Sequence, residues 1–183
     1  MAATQSTTRT KRYFSIVGGK FAEKATAETP NAVKRTNKKG AEVYELMYDK
    51  INGWIEDIQI RNSDFGEQLE FGLNDGNETC MVSIPVESKF FRHFAKKIDN
   101  VDLKQEAVLA PYSFIGKEGK KAIGLNIYQG GNKVAWIELP GAPKPISENL
   151  PEDEYKIFSL QETIFLKKYI KGKYERKSGE PNV

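Results

Sequence analysis

The sequence predicts an all-β domain with one minor helix, on three observations. From Glu42 to Trp136, short runs alternate apolar and polar residues, the two-residue period of half-buried strands. Turn signals rich in Gly, Asn and Asp break those runs at close intervals. One segment in that span, 89–98, switches to the longer period of an amphipathic helix.

The first strand is expected over 42–60. Tyr44, Leu46 and Tyr48 fall on one face, and a bend at Asn52-Gly53 lets the strand curl. Residues 61–66 (RNSDFG) form a polar turn. Over 68–73, Leu69, Phe71 and Leu73 share a face; Asn74-Asp75-Gly76-Asn77 is a hairpin turn; and Cys80, Val82 and Ile84 alternate on the return strand. Pro85 ends that strand. Ser88 is the N-cap of a helix over 89–98 with Phe90, Phe91, Phe94, Ala95 and Ile98 on its apolar face and Arg92, His93, Lys96 and Lys97 away from it. A fourth strand follows over 105–115, a basic turn over 116–121 (GKEGKK), a fifth strand over 122–128 with Ile123, Leu125 and Ile127 inward, and a short extra strand over 133–139. Long strand, hairpin, helix and two further strands is the order of a five-stranded OB-fold barrel, with the helix between strands 3 and 4.

The flanks differ. Residues 1–39 read as a basic, partly disordered N-terminal arm, with a short strand and turn over 12–21 and a mobile basic loop over 22–39. Residues 40–140 are the barrel domain. Residues 141–183 are a linker introduced by Pro140, Pro143 and Pro145, a C-terminal helical extension over 159–171 with Leu160, Ile164 and Tyr169 toward the body, and a basic tail.

At 183 residues, 39% hydrophobic and 29% charged, the chain is long enough for one domain with a core. No apolar run reaches the roughly 20 residues that span a bilayer. The N-terminus has no hydrophobic signal core, and Cys80 has no second cysteine to pair with, so a cytoplasm is the expected compartment. The net charge of +3 is unevenly spread. Residues 1–39 carry nine Lys and Arg against Glu23 and Glu28, a net +7, which leaves the rest of the chain at −4. A basic arm on a mildly acidic body fits either a polyanion partner or a solubilising tail.

Nothing in the sequence supports catalysis. The one histidine, His93, reads as a surface residue, and Cys80 as a core thiol. One Cys and one His do not make a zinc site. The glycines of 116–119 do not match a phosphate loop, and the acidic residues share no fixed spacing. No cofactor and no metal are expected.

Single-strand nucleic-acid binding needs cations that track phosphates and exposed rings that stack on bases. Ten Phe, eight Tyr and two Trp are enough to fill a core and leave some outside. In an OB-fold the groove crosses strands 2 and 3 between the loops that join strands 1–2 and 4–5. Those loops hold Arg61 and Phe65, and Lys117, Lys120 and Lys121. Tyr128 lies opposite the Ile123-Leu125-Ile127 row. Tyr112 and Phe114 flank the basic turn, on either the core or the open side, and Trp54 reads as core. Lys34, Arg35, Lys38 and Lys39 of the arm would close over a strand. Against this, Glu67, Glu70 and Glu78 would repel phosphate if they face the groove.

The stretches NKKGAEVYELMYDKINGWIEDIQI, SIPVESKFFRHFAKKIDNVDL and YSFIGKEGKKAIGLNIYQGGNKV give the chain, over about 12–140, a resemblance to OB-fold single-stranded DNA-binding proteins of tailed bacteriophages, crAss-like and related phages among them. The resemblance implies binding of exposed single strands in phage DNA replication, recombination or repair, contact with the proteins of those processes, a place in the host-cell cytoplasm, and no chemistry. It departs at the C-terminus. Bacterial and several phage relatives end in an acidic tip, whereas this chain ends KGKYERKSGEPNV and is acidic only internally, over 148–154. A structural or adaptor barrel and an RNA-binding OB module are the rival expectations.

Overall fold

The computed structural model describes residues 11–37, 39–116, 119–147 and 150–175. Among these residues ten strands and two α-helices follow in chain order. They are β1 (Tyr13–Val17), β2 (Lys20–Ala25), β3 (Val33–Thr36), β4 (Glu42–Tyr48), β5 (Ile51–Ser63), β6 (Gly66–Asn74), β7 (Thr79–Pro85), α1 (Lys89–Ala95), β8 (Ala107–Ile115), β9 (Lys121–Gln129), β10 (Asn132–Lys133) and α2 (Glu152–Tyr174), with a 3₁₀ turn at Ile98–Asn100. The strands form one open sheet in the order β10, β9, β8, β5, β6, β7, β1, β2, β4, β3.

The alternation that marks β5 to β9 is what builds the core. Ile55, Ile58 and Ile60 of β5, Leu69, Phe71 and Leu73 of β6, Cys80, Val82 and Ile84 of β7, Leu109 of β8, and Leu125 and Ile127 of β9 are all buried. Ser88 caps α1 as its sequence requires, with its hydroxyl accepting from the Phe91 N–H at 3.2 Å. Phe91 and Phe94 then point into the core, where Phe94 stacks on Phe71 with ring centroids 4.8 Å apart. β5 changes partner at Gly53: Ile51–Gly53 pair with β8, and from Trp54 onward the strand pairs with β6. A bulge around Asp57 interrupts the second ladder.

The five-stranded barrel does not form. The free edge of β7 is taken in parallel by β1 (Tyr13 beside Met81, Phe14 beside Val82), so β7 does not pair with β9 and the sheet stays open. Residues 22–25 and 33–36 are strand rather than mobile loop, because β2 and β3 both pair with β4. The expected long first strand is two strands. The chain turns at Asp49-Lys50, and β4 pairs with the N-terminal strands instead of continuing into β5. The extra strand expected over 133–139 is reduced to the two residues of β10.

α2 runs longer than expected and presents a different face. Leu160 and Ile164 are exposed, whereas Glu162, Thr163, Leu166 and Ile170 are buried. The reason is electrostatic. Glu162 meets Arg92 at 3.6 Å and Lys96 across the α1–α2 contact. At the far end Asp99 accepts from Tyr169, from Tyr174 at 2.5 Å and from Lys173 at 2.6 Å. Among the described residues no helix is long and apolar enough to cross a membrane.

Candidate nucleic-acid interface

The residues singled out by sequence fall into three places. Lys34 and Arg35 sit on β3 and are engaged by β4, Lys34 with Glu42 at 2.6 Å and Arg35 in a two-pronged pair with Glu45. Phe65, at the β5–β6 turn, is 76% exposed, and the Lys39 ammonium stands 5.0 Å from its ring centroid. Arg61 lies on the outer side of β5, 3.8 Å from Glu70, beside a hollow that Glu56, Asp57 and Glu175 also line. Tyr112, Lys120, Lys121 and Tyr128 belong to the β8–β9 hairpin and its turn. Lys38 and Lys117 lie outside the described residues.

The groove expected across the second and third strands is therefore acidic where Arg61 enters it. Glu56 and Glu70 share that hollow with Arg61, as the sequence had warned for Glu70. A basic and aromatic surface forms instead where α1 crosses β9. On the ladder of β8 and β9, Tyr112 sits opposite Gly124. A side chain at position 124 would place its Cβ 2.4 Å from the Tyr112 hydroxyl and 2.3 Å from the His93 ring, so only glycine lets α1 and Tyr112 close over the strand. Trp136 then folds back onto α1, held by the Ile137 N–H donating to the Lys96 carbonyl at 2.9 Å.

The result is a continuous series of rings. Trp136 and His93 are 4.9 Å apart, His93 and Tyr112 6.2 Å, and Tyr112 and Phe114 5.7 Å. Trp136 and Phe114 are both more than half exposed. Lys96 stands 5.3 Å from the Trp136 centroid. A cleft of about 850 Å³ opens beside the series, lined by Lys89, Lys121, Tyr155 and Phe158 as well as by Tyr112 and Trp136. Two carboxylates stand in its wall: Glu162 is held by Arg92 and Lys96, and the exposed Glu138 by Lys144 at 3.3 Å. Lys89, Lys121 and Lys133 have no carboxylate partner among the described residues. The arrangement can hold flat rings against flat rings and offer cations to anions.

Four side chains stand otherwise than the sequence predicts. Arg92 and Lys97 are buried rather than on the open side of α1, because Glu162 pairs with the first and the Leu125 carbonyl accepts from the second at 2.5 Å. His93 is not a surface residue. Its Nδ1 accepts from the Leu125 N–H at 3.3 Å. Trp54 is 39% exposed rather than core, as its face of β5 looks outward. Cys80 is buried as expected, its thiol pushed up by burial.

Burial first, and then the charges of Lys97, Lys96, Arg92 and Lys89, push His93 down to about 4. The unfolded chain, with His near 6.5, binds the extra proton over that interval and the folded chain does not. This contribution to stability is complete above 6.5 and is lost as pH falls toward about 4. His93 is the one histidine in the chain, so its Cε1 proton resonance is unambiguous by NMR. The expected titration midpoint is near 4, and a midpoint near 6.5 would put the ring in water instead of under β9.

Lys89, His93 and Lys96 recur at the i, i+4, i+7 spacing and were legible as one helical stripe. The return of Trp136 to that stripe had no local signal. No family model matches this chain, and neither does any curated protein or solved structure compared with it.

Proposed function

We propose that this chain is a non-enzymatic, sequence-tolerant binder of single-stranded DNA that serves phage DNA replication, recombination or repair. The observation that carries the proposal is the ring series from Trp136 to Phe114 with Lys89, Lys96 and Lys121 beside it. Base stacking on exposed rings together with cations along the backbone is the chemistry of sequence-tolerant strand binding. The wiring of β5 to β9 supports it further. β5 pairs with both β6 and β8, and α1 lies between β7 and β8, the pairings of an OB-fold left open between its third and fifth strands. The resemblance to phage single-stranded DNA-binding proteins points the same way. In this proposal the strand lies over β8, β9 and α1 rather than over β6 and β7, with Tyr112 and Tyr128 as stacking partners and Lys120 and Lys121 at its edge. The Phe65–Lys39 pair would extend the path.

Fluorescence anisotropy with a labelled poly-dT of about 30 nucleotides tests this, with duplex DNA and matched RNA as competitors. Binding should weaken steeply with salt and resist duplex competitor. Charge reversal at two cations, Lys89→Glu with Lys121→Glu, should weaken binding at least tenfold (about 1.4 kcal/mol) and flatten the salt slope. No binding at low salt would discard the proposal in favour of a structural or adaptor barrel, and preference for the RNA competitor would move it to RNA.

A further inference from the structure

We propose that the open hollow between the end of α1, β9, β10 and the segment that follows it is a phosphate-binding site whose ligands are Lys97 and Lys133. That its occupant is an internucleotide phosphate rests on the proposed function; that it takes an oxyanion does not.

Lys97 is a buried cation. It follows α1 directly, its side chain is 1% exposed, and its ammonium donates to the Leu125 carbonyl at 2.5 Å. An ammonium carries three donors, and a buried cation is costly unless a counter-charge accompanies it. None does among the described residues. The hollow beside Lys97, about 320 Å³, is lined by His93, Tyr112, Asn126, Lys133 and Trp136 and by no Asp or Glu. Lys133 makes the deficit larger. Burial first, and then the charge of Lys133, push the Lys97 ammonium down to about 8, so it remains largely protonated near neutral pH.

Elsewhere among the described residues, cations withdrawn from water are matched. The buried Arg92 meets Glu162, and the half-buried Arg12 and Arg35 meet Glu23 at 2.7 Å and Glu45. At Lys97, by contrast, two lysines meet at a hollow with no carboxylate among its described lining residues. Its remaining polar lining suits an oxyanion, since the Tyr112 hydroxyl and the Asn126 amide are both donors. Phosphate rather than a simple carboxylate is indicated by the rings on the same rim. Trp136 and Tyr112 line the hollow too, so bases on either side of a seated phosphate would meet ring faces.

Two arms separate the sources. In the first, inorganic phosphate is titrated into the ¹⁵N-labelled full chain against chloride at matched ionic strength. The amides of Leu125, Asn126 and Lys133 should shift with phosphate and not with chloride, and Lys133→Gln and Lys97→Met should abolish the shift. In the second, poly-dT affinity is measured across salt. Lys133→Gln should lower the slope by about 0.7, and Lys97→Met should weaken binding on the order of tenfold. Lys133 is exposed, so its variant reports on the site even if Lys97→Met impairs folding. Phosphate shifts without any strand binding would keep the site and remove the proposed function. Strand binding with an unchanged slope in Lys133→Gln, and no phosphate shifts in the wild type, would remove the site and keep the function.

Discussion

Replacing Trp136 with alanine is expected to weaken poly-dT binding by roughly 5- to 150-fold, the loss of one stacked base at about 1–3 kcal/mol. The ring is 55% exposed and rests edge-on against His93, so its removal takes away a stacking platform without opening the core. The melting temperature should therefore change little. Trp136→Phe should restore most of the affinity, because a smaller ring still offers a face, whereas Trp136→Leu should not. Trp54 supplies the control. It is also partly exposed, but it lies on β5, away from the Trp136–His93–Tyr112 series, and Trp54→Phe should bind like the wild type. In that background Trp136 is the one tryptophan left, and quenching of tryptophan emission on strand addition would place a base near it. An intact fold with unchanged affinity in Trp136→Ala would move the interface off α1 and β9.

What was legible in the sequence follows from the range over which each signal acts. Alternation in β6 and β7, the Asp75-Gly76 turn between them and the Ser88 cap are settled by residues within a few positions of one another. They formed as expected. The Trp136–His93 contact joins segments about forty positions apart and rests on a glycine at a third, Gly124, so no window along the chain contains it. The same holds for α2. Its apolar spacing favoured Leu160 and Ile164, but Glu162 is drawn under the helix by two cations of α1 that a hydrophobic pattern does not weigh.

The N-terminal strands were hidden by composition. β2 reads KFAEKA and β3 reads VKRT, and of these only Phe21 and Ala22 are buried. β3 is an edge strand and carries charge because one edge and one face meet water, and its Lys34 and Arg35 are answered by Glu42 and Glu45 across the ladder. A run of basic residues taken alone looks like a tail; only its partner strand reveals a sheet.

Phe21→Ala decides between those two pictures, with an expected loss of about 3–5 kcal/mol in unfolding free energy. Phe21 is fully buried and meets Phe14 edge-to-face at 6.4 Å, and Phe14 in turn meets Tyr48 at 5.5 Å. Removing the ring leaves a void that three strands, β1, β2 and β4, cannot close without giving up their pairing. The turn that brings Phe21 into place is itself locked. Gly19 has a positive φ of 84°, and a Cβ there would stand 2.3 Å from the Ser113 backbone nitrogen, so β8 and the first hairpin fit together only around glycine. The N-terminal strands thus brace both β7, by pairing, and β8, by contact. For a chain of this length the loss should lower the melting temperature by roughly 10 °C or more, read by circular dichroism or calorimetry. An arm that merely trailed from the domain would leave the melting curve of Phe21→Ala on top of the wild type, since a residue outside the folded unit contributes nothing to its cooperative unfolding.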